Sequence, residues 1–191
     1  MPPEERRAAI VAAARQVFAD QGYHRTGIAH IVREVKIARG TFYRYFDGKR
    51  ELFQVVVETM MTEVVSVVEP IDLQRPVVPQ VEANLDRLVR AVTAEDVCRV
   101  LFLEAVGIDE EGDEVLRAFY ADALARIETA LQTGQALGVV QPGDVGLKAR
   151  LLLGLIKEPV VQAQLEGRPV EPADLVRELT TLLRHGLVHA P

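Results

Sequence analysis

Apolar residues recur at intervals of three and four along almost the whole chain of 191 residues. Between residues 49 and 69, for example, Leu52, Val56 and Met60 would lie on one face of a helix. The chain has no alternation of polar and apolar residues of the kind that marks β-hairpins, no internal repeat and no low-complexity segment. The spacing therefore predicts an all-α fold of about nine helices.

Glycine and proline residues set the predicted ends of these helices. Gly22 ends the first helix and Pro70 the fourth, and the three prolines between residues 70 and 79 indicate a connection. The predicted helices cover residues 4–20, 27–35, 39–45, 49–69, 80–92, 95–106, 111–137, 143–165 and 172–188.

Composition limits the class of protein. Apolar residues make up 49% of the chain, enough for a sizeable core, and the single Cys98 excludes an intrachain disulfide. The apolar run at residues 151–156 is far shorter than the roughly 20 residues that cross a bilayer. No signal peptide is recognisable before the first helix. We expect a soluble cytoplasmic protein without a membrane span.

The formal net charge of −6 conceals an uneven distribution. Residues 1–50 contain ten Lys and Arg against five Asp and Glu, whereas residues 51–191 contain twelve against twenty-three. A basic N-terminal part can neutralise phosphates while an acidic body is repelled by them, so the molecule would be oriented on a polyanion. An ordinary solvated basic face is the alternative explanation of the same counts.

Two short segments with contact-prone side chains follow the first predicted helix. Residues 27–35 have the apolar spacing of a short helix, and residues 37–49 combine aromatic, hydroxyl and cationic side chains in a stretch too short for a core of its own. We expect Phe42 and Phe46 to be buried and Arg39 to point outward. The two segments are typical of a helix-turn-helix, which makes double-stranded DNA the first partner to consider.

The stretch from Arg7 to Phe53 resembles the DNA-binding domain of TetR-family transcriptional regulators. The matching motifs are Phe-Ala-x-x-Gly-Tyr at residues 18–23, the helix-turn-helix, Gly-x-x-Tyr-x-Tyr-Phe at residues 40–46, and a Lys that opens the fourth helix. The resemblance implies a DNA-binding domain over residues 1–48 and a helical ligand-binding and dimerisation domain over residues 49–191. It also implies a homodimer, usually a repressor, that binds a small molecule and then releases DNA.

The resemblance and the side-chain chemistry together give the candidate DNA contacts. Arg39 is the first candidate for a base contact, since a guanidinium can form two hydrogen bonds to guanine. Lys49, in the first turn of the fourth helix, would bind a phosphate, and Thr26 would either add a phosphate contact or cap a helix locally. The full set is Thr26, Arg39, Gly40, Thr41, Tyr43, Arg44, Tyr45 and Lys49.

The sequence departs from the family pattern at three positions around these contacts. Gly27 replaces a frequent Thr at the start of the second helix, and Ala38 replaces the usual Ser or Thr that caps the recognition helix. Lys36 replaces the usual turn Gly, which predicts a left-handed non-glycine residue at a cost of roughly 1 kcal/mol. We therefore expect a less preorganised DNA-binding surface than in similar proteins.

Polar residues interrupt the apolar faces of the predicted body. They would line a largely apolar pocket for a hydrophobic or amphipathic effector such as an acyl thioester, an aromatic compound or a drug. A structural ion pair involving Glu104 or Glu158 with Lys157 explains the same residues equally well. Pro159 should kink its helix near Lys157. The candidate pocket residues are Cys98, Glu104, Tyr120, Lys157, Glu158 and Gln162.

The last two long helices are the predicted dimer interface, because they are apolar on more than one stripe. Two DNA-binding domains would then meet half-sites in successive major grooves, which predicts a near-palindromic operator. The residues expected at the interface are Ala149, Leu152, Leu153, Ile156, Leu175, Leu179, Leu182 and Leu183.

Other classes of function have less support. An enzyme would need a phosphate-binding glycine loop, a nucleophile elbow or a metal set, and none is present, although a helical hydrolase that uses Glu104 and Lys157 stays an alternative. His185 and His189 have no evident third metal ligand and suit a helix end. No cofactor is expected. A ligand-independent architectural DNA binder is the other alternative, but it would not need a large acidic body.

Overall fold

The computed structural model describes residues 2–103 and 110–185. In those residues it contains nine α-helices, one π-helical segment and no strand, which confirms the all-α prediction. The helices are α1 (Pro3–Gln21), α2 (Ile28–Val35), α3 (Arg39–Phe42), α4 (Lys49–Ser66), α5 (Val77–Val92), α6 (Glu95–Cys98), α7 (Glu110–Ala136), α8 (Val145–Leu165) and α9 (Pro172–His185), and the π-helical segment is Arg99–Leu103.

The chain forms two compact units, each built from two stretches of sequence. The first unit joins Met1–Glu63 to Ala94–Tyr120, and the second joins Val64–Thr93 to Ala121–Pro191. The first unit thus combines the predicted DNA-binding helices with α6, which belongs to the predicted body. A functional boundary at residue 48 remains a prediction.

An aromatic cluster forms the centre of the first unit. The ring of Phe53 in α4 lies 5.3 Å from that of Phe18 in α1 and 4.4 Å from that of Tyr23, measured between centroids. All three side chains are buried, and pairs at such separations add to the stabilisation from burial alone. The cluster therefore fixes α4 against α1 and against the turn that follows α1.

The recognition helix is shorter than the spacing predicted. Regular α-helix ends at Phe42 instead of residue 45. The backbone N–H groups of Tyr45 and Phe46 both donate to the Phe42 carbonyl, at 2.9 and 3.2 Å, so the chain closes in a turn. Phe42 and Phe46 are buried as predicted, and their burial holds this turn against the core.

Helices α5 and α8 each accommodate a proline. Helix α5 begins at Val77 and not at residue 80, although Pro79 lies in its first turn. The first N–H groups of a helix have no intrahelical acceptor, so a proline there loses no hydrogen bond. Helix α8 runs through Pro159 as one element, and Asp144 caps it by accepting a hydrogen bond from the Leu147 N–H at 3.0 Å.

The helix predicted over residues 95–106 is not a single α-helix. Its first four residues form α6, and Arg99–Leu103 form a π-helical turn. Residues 104–106 of that prediction lie outside the described residues. The apolar spacing alone did not distinguish the two helix types, since the side chains of Val97, Val100 and Leu101 are buried in either.

The second unit contains a firmly held junction between α4 and α5. Asn84 is buried, accepts a hydrogen bond from the Glu69 N–H at 2.9 Å and donates one to the Glu69 carbonyl at 2.8 Å. Three residues expected at a dimer interface, Ala149, Leu175 and Leu179, are instead buried within the unit. These three residues stabilise the fold of the single chain, because they are covered without a partner.

Candidate nucleic-acid interface

Arg39 and Tyr43 form the centre of the exposed face of α3. Tyr43 is 45% exposed and Arg39 is exposed beside it, one helical turn away. The guanidinium of Arg39 donates a hydrogen bond to the Tyr43 hydroxyl at 3.3 Å and lies 5.8 Å from the ring centroid. This hydrogen bond raises the pKa of the Arg39 guanidinium, so the side chain stays positively charged. Tyr43 therefore restricts the orientation of the side chain predicted to contact a base.

The exposed face rests on buried rings directly beneath it. The ring of Phe42 packs edge-on against Tyr43 with centroids 5.3 Å apart, and lies 5.8 Å from the ring of Phe46. The guanidinium carbon of Arg7 in α1 lies 5.0 Å from the centroid of the Phe46 ring. The polar surface of α3 is therefore supported by residues that cannot move without opening the core.

The other candidates on and after α3 have different exposures. Arg44 is exposed, whereas Thr41 and Tyr45 are half-buried, with parts of each side chain accessible. A Cβ atom added to Gly40 would meet no atom within 4 Å, so no contact inside the protein requires glycine there. The open space at this exposed position leaves room for another molecule to approach closely.

The structure places Thr26 away from the surface. Its side chain is 1% exposed, and its hydroxyl donates a hydrogen bond to the Gly22 carbonyl at 2.7 Å. This carbonyl lies at the C-terminus of α1, where carbonyls lack helical partners. Thr26 therefore stabilises the turn between α1 and α2 and does not cap the N-terminus of α2. Because its hydroxyl is buried and already bonded, we assign it no phosphate contact.

Lys49 makes contacts within the protein that the sequence did not predict. Its ammonium group donates a hydrogen bond to the Tyr23 carbonyl at 2.9 Å and lies 4.0 Å from the centroid of the Tyr23 ring. These contacts tie the first turn of α4 to the turn after α1. An ammonium group has three donors, so Lys49 can keep this bond and still offer a proton to a phosphate at the N-terminus of α4.

The three departures from the family pattern have visible structural consequences. Lys36 adopts the left-handed conformation predicted for it, with φ 58° and ψ 47°. Ala38 provides no side-chain cap to α3. At the start of α2, Gly27 offers no side-chain acceptor to the first turn, but its own N–H donates to Nδ1 of His30 at 3.2 Å. Sequence analysis missed this role of His30.

Two arginines outside the predicted set link the N-terminal helices to later elements of the first unit. Arg15 of α1 pairs with Glu63 of α4 and with Asp96 of α6, at 2.6 and 2.5 Å. Arg50 of α4 pairs with Glu114 of α7. None of these three pairs could be identified from the sequence, because the partners are separated by between 48 and 81 positions in the chain.

The candidate pocket residues are divided between the two units. Cys98 is buried in the first unit, where Tyr120 also lies and donates its hydroxyl hydrogen to the Leu101 carbonyl at 2.9 Å. Glu158 and Gln162 belong to the second unit, where both are exposed and share a hydrogen bond of 2.7 Å. Lys157 also lies in the second unit and is half-buried. Glu104 lies outside the described residues.

The second unit contains a shallow, open cleft with a volume of about 580 Å³. Arg87 there pairs with Glu69 at 2.9 Å, and Arg90 pairs with Asp86 at 2.9 Å, so both cations are already neutralised. The cleft is lined by Ser66, Val67, Glu69, Arg87, Arg90 and Ala91.

Within residues 2–103 and 110–185 no cluster of three or more His, Cys, Asp or Glu could hold a metal ion. Among the same residues, no helix combines the length and apolarity that a bilayer crossing requires.

Comparison with known proteins relates this geometry to one family. Residues 10–56 match the family described as bacterial regulatory proteins, tetR family. The HTH-type transcriptional activator FasR of Mycolicibacterium smegmatis is 26% identical over 205 residues, covering 100% of this chain and 87% of FasR.

Two solved structures have the same fold. The transcriptional regulator FadR from Bacillus subtilis in complex with stearoyl-CoA has a TM-score of 0.81 at 22% identity, covering 95% of this chain and 99% of FadR. AibR in complex with isovaleryl coenzyme A and operator DNA has a TM-score of 0.69 at 19% identity, covering 93% of this chain and 97% of AibR. The relatives are transcriptional regulators and not enzymes.

Proposed function

Because the chain belongs to the TetR family of bacterial transcriptional regulators, we propose that it is a homodimeric repressor that leaves a near-palindromic operator when it binds a small effector. The observation that carries the proposal is the exposed Arg39–Tyr43 pair on α3, supported by buried rings. A protein that acts on chromosomal DNA works in the bacterial cytoplasm.

Arg39 recognises a base and its neighbours hold the backbone in the proposed complex. The guanidinium of Arg39 can bond to the O6 and N7 atoms of guanine in the major groove. Tyr43, Tyr45 and Lys49 would contact phosphates and fix the register of α3, and Gly40 would allow the duplex to approach. The excess of positive charge in residues 1–50 supports this orientation on DNA.

The dimer interface is proposed on α8 and α9. Leu147 and Leu151 lie one turn apart on α8 and are 55% and 58% exposed, and Leu183 of α9 is 51% exposed. Exposed leucines in a row on a helix support association with a second copy, which would cover them. This set replaces Ala149, Leu175 and Leu179, which the fold already buries.

The proposed effector is an amphipathic acyl thioester. Support comes from the structures of FadR with stearoyl-CoA and AibR with isovaleryl coenzyme A, which share the fold. FasR is named an activator, so a ligand that strengthens operator binding would reverse the proposed direction of regulation while keeping the DNA-binding role.

Selection of bound sequences from random DNA tests the proposal directly. The full chain should select a near-palindromic sequence, and titration of that duplex with stearoyl-CoA or isovaleryl-CoA should weaken binding. Selection of no preferred sequence would contradict the regulator assignment. A palindrome whose affinity is indifferent to both thioesters would contradict the effector class and would favour an architectural role or a different effector.

A further inference from the structure

Lys36 forms the turn between α2 and α3 in a conformation that suits glycine. Its φ of 58° makes it the one non-glycine residue with a positive φ within residues 2–103 and 110–185. Two backbone bonds depend on this conformation. The N–H of Lys36 donates to the Arg33 carbonyl at 3.3 Å, and the N–H of Ile37 donates to the Val32 carbonyl at 3.0 Å. Helix α2 thus ends in a motif whose left-handed position is usually glycine, and Lys36 occupies that position under strain.

The turn itself does not require a lysine. The Lys36 side chain is exposed, and among the described residues it makes no hydrogen bond and pairs with no carboxylate. A glycine would keep both backbone bonds and remove the strain, so the lysine side chain does not serve the fold. Residues with this kind of strain are concentrated at functional sites. An external partner for the ammonium group would therefore account for a strained lysine here.

Lys36 is the middle one of three exposed cations that follow each other at every third position across the turn. Arg33 lies in the last turn of α2 and Arg39 is the first residue of α3, and in the described part of the chain neither pairs with a carboxylate. Exposed arginines of later helices differ, since Arg90 and Arg126 each pair with an aspartate of their own helix. The cations around the turn therefore remain able to attract an anion that the chain does not supply.

The position of Lys36 relative to Arg39 suits a phosphate beside the base that Arg39 is proposed to recognise. Three residues of chain separate the two Cα atoms by at most about 11 Å. The major groove is about 12 Å wide, and phosphates border it on both sides. With Arg39 on a base inside the groove, Lys36 would reach the edge of the groove. A compact ammonium charge suits a phosphate there, whereas a planar guanidinium suits the base.

We propose that Lys36 is a DNA-contacting residue whose ammonium group binds one phosphate at the edge of each half-site. The proposal rests on the proposed function, because it requires α3 to lie in the major groove. The affinity gained from the contact offsets the strain that lysine introduces into the turn. Replacing Lys36 by glycine should therefore strengthen the fold and weaken DNA binding, whereas a solvated surface cation would give only the first effect.

Three variants of Lys36 separate its charge from its strain. Lys36→Gln removes the charge and keeps a polar side chain, Lys36→Gly removes both the charge and the strain, and Lys36→Arg keeps the charge. Arg75→Gln is the matched control, because Arg75 is likewise exposed and pairs with no carboxylate among the described residues, but belongs to the acidic part of the chain. Circular dichroism and urea titration establish that each variant is folded, and the urea midpoint of Lys36→Gly should exceed that of the wild type.

Fluorescence anisotropy on the selected duplex and on an unrelated duplex, at several salt concentrations, measures the contribution of the charge. Lys36→Gln and Lys36→Gly should bind both duplexes about fivefold more weakly at about 0.1 M salt, with a reduced salt dependence. Lys36→Arg and Arg75→Gln should bind as the wild type does. A loss confined to the selected duplex, or an unchanged salt dependence, would overturn the phosphate contact.

Duplexes in which single phosphates are replaced by uncharged methylphosphonates locate the contact. One replacement in each half-site should weaken binding of the wild type and of Arg75→Gln by about fivefold. The same replacement should leave the affinity of Lys36→Gln unchanged, because the partner of that phosphate is already absent. If the effects of Lys36→Gln and of every replacement simply add, Lys36 contacts no phosphate and the proposal fails.

Failure of the proposed function gives a different result. If no sequence is selected from random DNA and the wild type binds all duplexes alike, the regulator assignment fails. The salt dependence of Lys36→Gln on those duplexes then still decides whether Lys36 contacts a phosphate. If a sequence is selected and Lys36→Gln binds it as tightly as the wild type does, the proposed function stands and the contact by Lys36 fails.

Discussion

The guanidinium of Arg39 donates a hydrogen bond to the hydroxyl of Tyr43 across one turn of α3, at 3.3 Å. The contact orients the side chain proposed to recognise a base, while the ring of Tyr43 is itself held edge-on by Phe42. Preorganisation by Tyr43 can offset part of what the uncapped Ala38 removes from this short helix. Several measurable consequences depend on the division of roles among these residues.

Tyr43→Phe should weaken operator binding less than Arg39→Ala does. The ring and its packing on Phe42 remain, but the hydroxyl that orients Arg39 and contacts a phosphate is lost, at a cost of about 1 kcal/mol in binding. Fluorescence anisotropy with the selected duplex measures both variants. A loss for Tyr43→Phe as large as that for Arg39→Ala would show that recognition depends on the hydroxyl as much as on the guanidinium.

Lys49→Met should affect both DNA binding and stability. Loss of the charge should weaken binding to all sequences alike and lower the salt dependence, log Kd against log salt, by about one. Loss of the donor to the Tyr23 carbonyl and of the contact with its ring should cost about 1 kcal/mol in the free energy of unfolding. An unchanged salt dependence with reduced stability would make Lys49 purely structural.

Thr26→Val and Thr41→Val separate a structural hydroxyl from an exposed one. Thr26→Val removes the buried donor to the Gly22 carbonyl and should lower the free energy of unfolding by about 1 kcal/mol, without changing the salt dependence of DNA binding. Thr41→Val, on the surface of α3, should instead weaken DNA binding with little change in stability. Urea titration and anisotropy measure the two effects. The opposite assignment of the two losses would restore Thr26 to the interface.

Lys36→Gly should stabilise the protein. Lys36 has φ 58°, where a side chain is strained and glycine is not, so we expect a gain of up to about 1 kcal/mol in the free energy of unfolding. Lys36→Ala is the matched control, because it removes the charge but keeps the Cβ atom, and it should bring no such gain. A loss of stability in Lys36→Gly would mean that strain at this turn is negligible.

Alkaline pH should destabilise the first unit through Cys98. Burial raises the pKa of the Cys98 thiol from 9.0 to about 11, and burial also raises the pKa of the Tyr120 phenol. The folded state favours the neutral thiol, so this stabilisation is complete below about pH 9 and is lost as the pH rises toward about 11.

Urea titrations across this range should show a loss on the order of 2 kcal/mol. The Cys98→Ala variant should show a smaller dependence on pH, because the contribution of Tyr120 alone remains. Identical pH dependence in Cys98→Ala and the wild type would show that the thiol does not titrate with folding.

The sequence predicted the helices well because each buries a stripe of regularly spaced apolar residues. It also placed Phe42 and Phe46 in the core, Tyr43 on the surface and Lys36 in a left-handed turn, since these depend on local patterns. The predicted start of α5 was wrong because Pro79 is tolerated in the first turn of that helix. The predicted extent of the α6 helix was wrong because a π-helical turn follows Cys98.

Contacts between residues that are far apart in the chain could not be predicted from the sequence. The bond from Lys49 to the Tyr23 carbonyl spans 26 positions, and that from Arg15 to Asp96 spans 81. A helical arginine such as Arg15 has the same local pattern whether it is solvated or paired. The sequence left two roles open for the Thr26 hydroxyl, a phosphate contact or a local helix cap, and in the structure it bonds to the Gly22 carbonyl at the end of the preceding helix.

The most direct test of DNA recognition by α3 compares wild type and Arg39→Ala on the selected duplex and on duplexes with each base pair changed in turn. The wild type should lose affinity when one G·C pair in each half-site is changed, whereas Arg39→Ala should bind the original duplex more weakly by about 1 to 3 kcal/mol and be indifferent to that pair. Equal sensitivity of both proteins to every base pair would contradict recognition through Arg39 and the proposed role of α3.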